Sequence, residues 1–213
     1  KNVKVTSDDE DRDDVVIEAD NDDQPTVTMK HDADLSYVTV KHGRHGIRVK
    51  ENAKAHIYNV AVKKSDRDGI HIDAGPRDKK HRVLIDKVRV TESDRSGIYA
   101  EKRYVVLLRS EIDHNASDGV DFAAGTKAWL EDNKFRDNGG SGLKLILDGA
   151  EIWTKKNAFR NNRREGIEVN AYGAAGEFGL KKATVVDNLE SGVNASRIEN
   201  NSIGNISAAL RGF

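Results

Sequence analysis

The sequence has no cysteine, two prolines and one methionine in 213 residues. Without cysteine neither a disulfide framework nor a thiolate zinc site can form, and the redox compartment leaves no mark: the absence suits a secreted protein as well as a cytosolic one. Pro25 and Pro76 alone lack a backbone donor, so long stretches are free to pair as continuous strands. No apolar run approaches the roughly 18 residues that a bilayer-spanning helix needs, and no membrane partner is expected. No leader-like stretch opens the chain, which starts on the strand-like NVKV, and a processed N-terminus is the expectation. A surplus of charge is missing too. With 35 basic against 36 acidic residues the net charge is -1, which gives no whole-molecule case for nucleic acid, so any electrostatic function must be local. Hydrophobic residues at 37% beside charged residues at 33% suit a thin, elongated core under a large solvated surface.

What is present is a repeat. A glycine followed by an apolar, a variable and usually another apolar residue recurs as GIRV at Gly46, GIHI at Gly69, GIYA at Gly97, GVDF at Gly119, GLKL at Gly142, GIEV at Gly166 and GVNA at Gly192, at intervals of 23, 28, 22, 23, 24 and 26. Four residues before the last six glycines stand Ser65, Ser93, Asn115, Asn138, Asn162 and Asn188. Three earlier again come Val62, Val90, Ile112, Phe135, Phe159 and Val185. Rigid spacing inside the unit with elastic loops outside it marks stacked coils.

Period-two alternation gives each unit one core face and one solvent face: in GIHI, Ile70 and Ile72 point one way and His71 the other. A lone coil cannot bury its apolar face, whereas a stack can. The serines and asparagines are expected to hydrogen-bond between coils as amide ladders do, and the glycines to permit a turn at positive φ. Ile47, Ile70, Ile98, Val120, Leu143, Ile167 and Val193 should form one buried column. A leucine-rich horseshoe has a similar unit length, but segments such as HRVLIDKVRV and YVVLLRSEI are rich in valine and isoleucine and read as strands. Upstream, NVKV, VVIEA, PTVTM and LSYVTV read as further, less regular coils. The expectation is one all-β domain over 1–213, a right-handed parallel β-helix of about nine coils, irregular over 1–45 and regular over 46–213.

Units such as VVLLRSEIDHNASDGVDF, AWLEDNKFRDNGGSGLKL and EIWTKKNAFRNNRREGIEV resemble the repeats of the pectate-lyase-like β-helix superfamily, most closely those of alginate (mannuronan) C5-epimerase catalytic modules. The resemblance covers about Gly46 to Asn201 and lies mostly in fold-determining positions, which lyases, hydrolases, epimerases, tailspikes and non-catalytic surface proteins share. The catalytic motifs of these families do not follow. Pro25 and Pro76 precede Thr26 and Arg77, so the epimerases' Asp-Pro-His is absent, and neither proline supplies the lyases' Arg-x-Pro-x-x-Arg. SDGVD at Ser117–Asp121 is a partial echo of a polygalacturonase element, GRHG at Gly43–Gly46 is not the Gly-His-Gly motif, and calcium-binding nonapeptides are missing. No family catalytic residue carries over.

Chemistry is therefore sought on the outward column of the glycine-led strand. One outward residue per coil gives Arg48, His71, Tyr99, Asp121, Lys144, Glu168 and Asn194; the next gives Lys50, Asp73, Glu101, Ala123, Ile146, Asn170 and Ser196. Equivalent residues on adjacent coils lie roughly 4.8 Å apart, so the column is a linear strip along which a sugar chain can lie. β-Elimination or C5 epimerisation of a uronic acid needs a cation on the carboxylate, a role for Arg48 or Lys144, and a group that removes or returns a proton, a role for His71 or Tyr99. Asp73, Asp121 and Glu101 would orient these groups, ligate calcium or form a glycosidase pair. His71, Tyr99 and Asp121 are thus the candidate catalytic residues, with Arg48, Asp73, Glu101, Lys144 and Glu168 for substrate. The bland alternative is a solvated face of cross-strand charge pairs.

Two further segments have a functional and a plain reading. SDDEDRDD with DNDD, between Ser7 and Asp23, is either a calcium loop or a solvated segment; PRDKKHR, Pro76–Arg82, in the longest insertion, either grips an anionic polymer beside His71 or is an ordinary loop. The seven histidines show no ligand spacing, so no metal site is expected and no cofactor is required, with calcium the one candidate. The sequence reads as a secreted or cell-surface protein whose partner is an anionic, uronate-containing polysaccharide, acting as a lyase or epimerase; a non-catalytic carbohydrate-binding or structural module is the alternative. Oligomeric state is not legible.

Overall fold

The computed structural model describes residues 3–196 and strand Ser202–Leu210; the side chains of 195, 196 and 202–210 lie outside the description, Ser196 of the second column among them. The chain winds as a parallel solenoid with three strands per turn. A typical coil runs Val83–Asp86 on a first sheet, Arg89–Thr91 on a second and Ile98–Ala100 on a third, the third strand being the glycine-led one. Among the described residues every strand pairing between coils is parallel, as stacking of successive turns requires. The third sheet holds eight strands, from Val27–Met29 to Val193–Ser196. Eight coils are therefore complete, one fewer than the sequence count, and Ser202–Leu210 stacks on Glu177–Val186 as the start of another. Among the described residues the only helical piece is the 3₁₀ turn Lys79–His81, so the horseshoe reading has no support.

The expected column is the core. Ile47 pairs in register with Ile70, Ile70 with Ile98, and so on through Val120, Leu143 and Ile167 to Val193. Ile47 through Ile167 are fully buried and Val193 packs partly against them. On the second sheet Phe135 and Phe159, also register partners, stack face to face with ring centroids 4.9 Å apart. The asparagines form the expected ladder, with amide Nδ2 of Asn115, Asn138 and Asn162 donating to Oδ1 of the next rung at 3.0, 3.0 and 2.8 Å. A shorter second ladder joins Asn133 to Asn157.

The repeated glycines have a different reason from the one expected. None of them has positive φ; most left-handed residues are non-glycines at the two corners flanking the second-sheet strand, such as Lys87 and Glu92 or Arg109 and His114. The glycines are required by close approach. A Cβ on Gly69 would lie 2.3 Å from Val90 Cγ1 and 2.8 Å from the carbonyl oxygen of Gly97 in the next coil, and the same crowding recurs at Gly97 and Gly166. The expected turn lies instead at the two corners flanking the second sheet, because the backbone enters the third sheet in extended form.

Candidate functional site

The outward strip is in register as read: Arg48, His71, Tyr99, Asp121, Lys144, Glu168 and Asn194 pair rung by rung. Its middle is concave. A groove of about 540 Å³ crosses the coils of His71, Tyr99, Asp121 and Lys144 and is also lined by Asp73 and Glu101. Arg48 and Glu168 lie on the strip but outside the groove. Arg48 Nε donates to Asp73 Oδ1 at 3.0 Å, beside Lys50 Nζ on Oδ2 at 2.6 Å. Glu168 accepts from Ser141 Oγ and Asn170 Nδ2 at 3.1 Å each. Both therefore already have protein partners.

Asp68, Arg95, Ser96, Ser117 and Asp118 also line it and come from the turns before the strands, which the period-two reading did not reach. A signal for them exists. The residue just before each repeated glycine is His45, Asp68, Ser96, Asp118, Ser141, Glu165 or Ser191, never apolar, and the first six are buried. These side chains tie neighbouring coils together: Ser141 Oγ donates to Glu165 Oε2 at 3.0 Å, and Asp118 Oδ1 accepts from the Ser141 amide at 2.8 Å.

Electrostatics divide the groove. Burial pushes Asp121 up to about 6, opposed by Lys144 and assisted by Asp118, Asp68 and Glu168. Asp118 is raised as well, chiefly by burial, against the Ser141 amide and a Lys144 Nζ that is 3.9 Å away. Tyr99 is raised by burial, then by Glu101 and Asp121, which keeps its phenol protonated. Burial works the same way on Asp73, but the hydrogen bonds from Lys50 and Arg48 outweigh it and hold this carboxylate below its ordinary range. His71 stacks on Tyr99 at 5.0 Å and 13°, with Nδ1 at 2.8 Å from Asp68 Oδ2 and Nε2 at 3.5 Å from Asp73 Oδ1. Behind it His45 is buried, its ring centroid 4.4 Å from that of His71 and Nδ1 3.5 Å from the same Asp68 oxygen. Burial, then the neighbouring His71, push His45 down to about 4, so its ring is neutral.

The two flanking segments have structural surroundings. Asp9–Asp13 of the acidic stretch line a cleft with Lys87, Arg89 and Arg109. In the basic loop Arg77 Nη2 reaches Glu151 on the first sheet at 3.4 Å, and none of its basic residues lines the groove.

Three-stranded parallel coils with a groove along one sheet define a parallel β-helix. The chain belongs to the family described as the right-handed beta helix region, which matches residues 78–210, more than half of its length. No curated protein matches it. Among solved structures it is similar to pectate lyase Pel9A, with a TM-score of 0.67 at 15% identity, covering 98% of this chain and 62% of that one. It is also similar to the periplasmic alginate epimerase AlgG, at 0.67 and 13%, covering 86% and 46%, and to a D317A form of it, at 0.69 and 12%, covering 87% and 48%. The chain thus spans less than two thirds of each, and the likeness is one of fold.

Proposed function

We propose that the chain binds a uronate-containing polysaccharide along the groove of the third sheet and acts on it there by proton transfer, as a lyase or C5-epimerase outside the cell. The observation that carries this reading is the rung pair Tyr99 and Asp121, in register on adjacent coils, with Lys144 on the next rung. A carboxylate poised near 6 accepts a proton at neutral pH, and a phenol held protonated donates one, so the two are suited to opposite steps. Asp121 removes the proton at C5 of the uronate, and the electron pair is stabilised as the enolate of the substrate carboxylate. In elimination the C4–O bond then breaks and Tyr99 protonates the departing oxygen; in epimerisation Tyr99 returns a proton to the opposite face of C5. Lys144 meets the substrate carboxylate. His71, fixed by Asp68, holds the Tyr99 ring in place by stacking.

The groove is acid-rich, with Asp68, Asp73, Glu101, Asp118 and Asp121 against Arg95 and Lys144. Its oxygen donors fit a hard cation, and calcium bound there would neutralise a uronate that the carboxylates otherwise repel. The missing Asp-Pro-His element favours the second reading, a module that binds the polymer without turning it over.

Incubation with alginate and with pectate, with and without calcium, tests both. Ultraviolet absorbance reports unsaturated uronates and proton NMR reports C5 inversion. Tyr99→Phe is expected to lower the rate about 10²–10⁴-fold with polymer binding retained. Wild-type protein that is retarded in a polymer-containing gel but yields neither product would move the assignment to the binding module; protein that does neither would remove the polysaccharide.

A further inference from the structure

At the end of the groove the stack brings His45 of one coil against Asp68 and His71 of the next, two groups three residues apart in the chain. His45 and Asp68 occupy the position before successive repeated glycines, and His71 is on the outward strip. One donor atom from each lies within 4.8 Å of the others. Asp68 Oδ2 is the centre, 2.8 Å from His71 Nδ1 and 3.5 Å from His45 Nδ1. We propose that His45, Asp68 and His71 form a binding site for a divalent first-row transition-metal ion of the zinc class. This inference is independent of the polysaccharide reading.

Four observations carry it. First, His45 is 94% buried by its 6% exposure, and its Nδ1 has no hydrogen-bond partner. A buried ring nitrogen aimed at a carboxylate oxygen 3.5 Å off is too far away to bond it. It is a lone pair or an N–H left unsatisfied, which folded proteins avoid unless a ligand completes the site. Second, the two separations from Asp68 Oδ2 suit ligands around one ion. Donors placed about 2.0–2.1 Å from a tetrahedral zinc stand some 3.3 Å from each other, and the two measured distances bracket that value.

Third, a carboxylate stands behind one of the ligands without yet bonding it. The remaining nitrogen of His71, Nε2, faces Asp73 Oδ1 at 3.5 Å, and Asp73 is in turn held by Arg48 and Lys50. A carboxylate behind a ligating histidine fixes the ring and raises its basicity. Fourth, three protein ligands leave one position of a tetrahedron, and Asp68 and His71 both line the groove, so that position opens onto it. Two imidazoles and one carboxylate favour a borderline metal over calcium, which takes oxygen donors.

The test uses the full chain with any affinity tag removed, stripped with a chelator and then dialysed free of it. Titration with Zn²⁺ alone is expected to show one ion per chain, displaced by a chromophoric chelator but not by excess Ca²⁺. Co²⁺ in its place is expected to give the intense visible absorption of a tetrahedral site. Asp68→Asn should weaken Zn²⁺ binding at least about tenfold, whereas His81→Ala, which removes an imidazole paired with Asp78 on the basic loop, should leave it unchanged. The cobalt spectrum of wild-type protein needs no variant to fold. Absence of stoichiometric Zn²⁺ binding, a purely octahedral cobalt spectrum, or binding indifferent to Asp68→Asn in a protein with an unchanged circular dichroism spectrum would each overturn the site.

Discussion

Asp113 and Asp121 sit one strand apart in the sequence, both withdrawn from water, and their carboxyls are driven in opposite directions. Asp113 ends a strand of the second sheet and is fully buried, and Arg89 meets it through Nη2 at 2.7 Å and Nε at 3.1 Å, His114 Nδ1 at 3.0 Å and Arg136 Nη2 at 3.2 Å. Burial would raise its pKa, but these donors win and hold it below the usual carboxylate range. Asp121 faces the groove, where burial wins and the carboxyl goes up to about 6. The same coil spacing thus gives two outcomes. On the back of the solenoid charges are satisfied by neighbours; in the groove a carboxylate is left to be satisfied by something else.

Four changes test this contrast. The largest effect is expected from Phe135→Ala, which removes the core ring beneath the paired corner and should destabilise the fold by about 3–5 kcal/mol in chemical denaturation; a midpoint that stays in place would show that the corner stands without its floor. Asp113→Asn should follow at roughly 2–4 kcal/mol at neutral pH, because it strips a buried acceptor from two guanidinium groups. The sign with pH is fixed by the depressed folded value: the stabilisation is present above the unfolded carboxylate range and is lost as pH falls through the folded one, so wild type and variant should converge in strong acid.

Asp121→Asn should act the other way. Its folded pKa near 6 is above the ordinary 3.8, so the folded chain holds the proton more tightly, and stability falls as pH rises between these values. The wild type is therefore penalised above pH 6, and the variant should be more stable there by about 3 kcal/mol, with the gap closing near pH 4. Tyr99, Lys144, Asp118, Asp68 and Glu168 are the groups that face this carboxyl, and a thermal melt series across that pH range reads the difference. Equal stability at pH 7 would make Asp121 another satisfied charge. The smallest effect is expected from Lys155→Ala, which removes a solvent-screened pair with Glu131 on the first sheet and should change stability by less than about 1 kcal/mol.

The strip from Arg48 to Asn194 and the column from Ile47 to Val193 were legible because a strand alternates with period two and the glycine fixes its phase. What the alternation cannot show is which part of a strip is concave or already neutralised. Arg48 and Glu168 read from the sequence like their neighbours on the strip, and only the structure places Asp73 on Arg48 Nε and Ser141 and Asn170 on Glu168. Asp68, Asp118 and His45 were missed for another reason. They lie in the turn before the strand, where a polar residue is the ordinary expectation, and only their burial sets them apart. The trio proposed to hold a metal ion was not legible because His45 joins Asp68 and His71 through the stack, 23 residues before Asp68 in the chain.

The left-handed corners have a bearing on how the solenoid comes to exist. Each coil places residues such as Lys87, Arg109 and Lys156 at φ near +50°, where an L side chain is disfavoured by about 1–2 kcal/mol, and Asn59, Asp132, Asp137, Asn161 and Asp187 are among the few corner residues of a type that tolerates it. A single turn of the chain is thus opposed twice by local preference, and only contact with a formed neighbour offsets it. Assembly should proceed as growth: a first stack of coils forms slowly, and later coils add to its ends in sequence, each templated by the last. Asparagine at a Lys87-type corner would lower the barrier to that first stack, with a faster refolding rate as its signature.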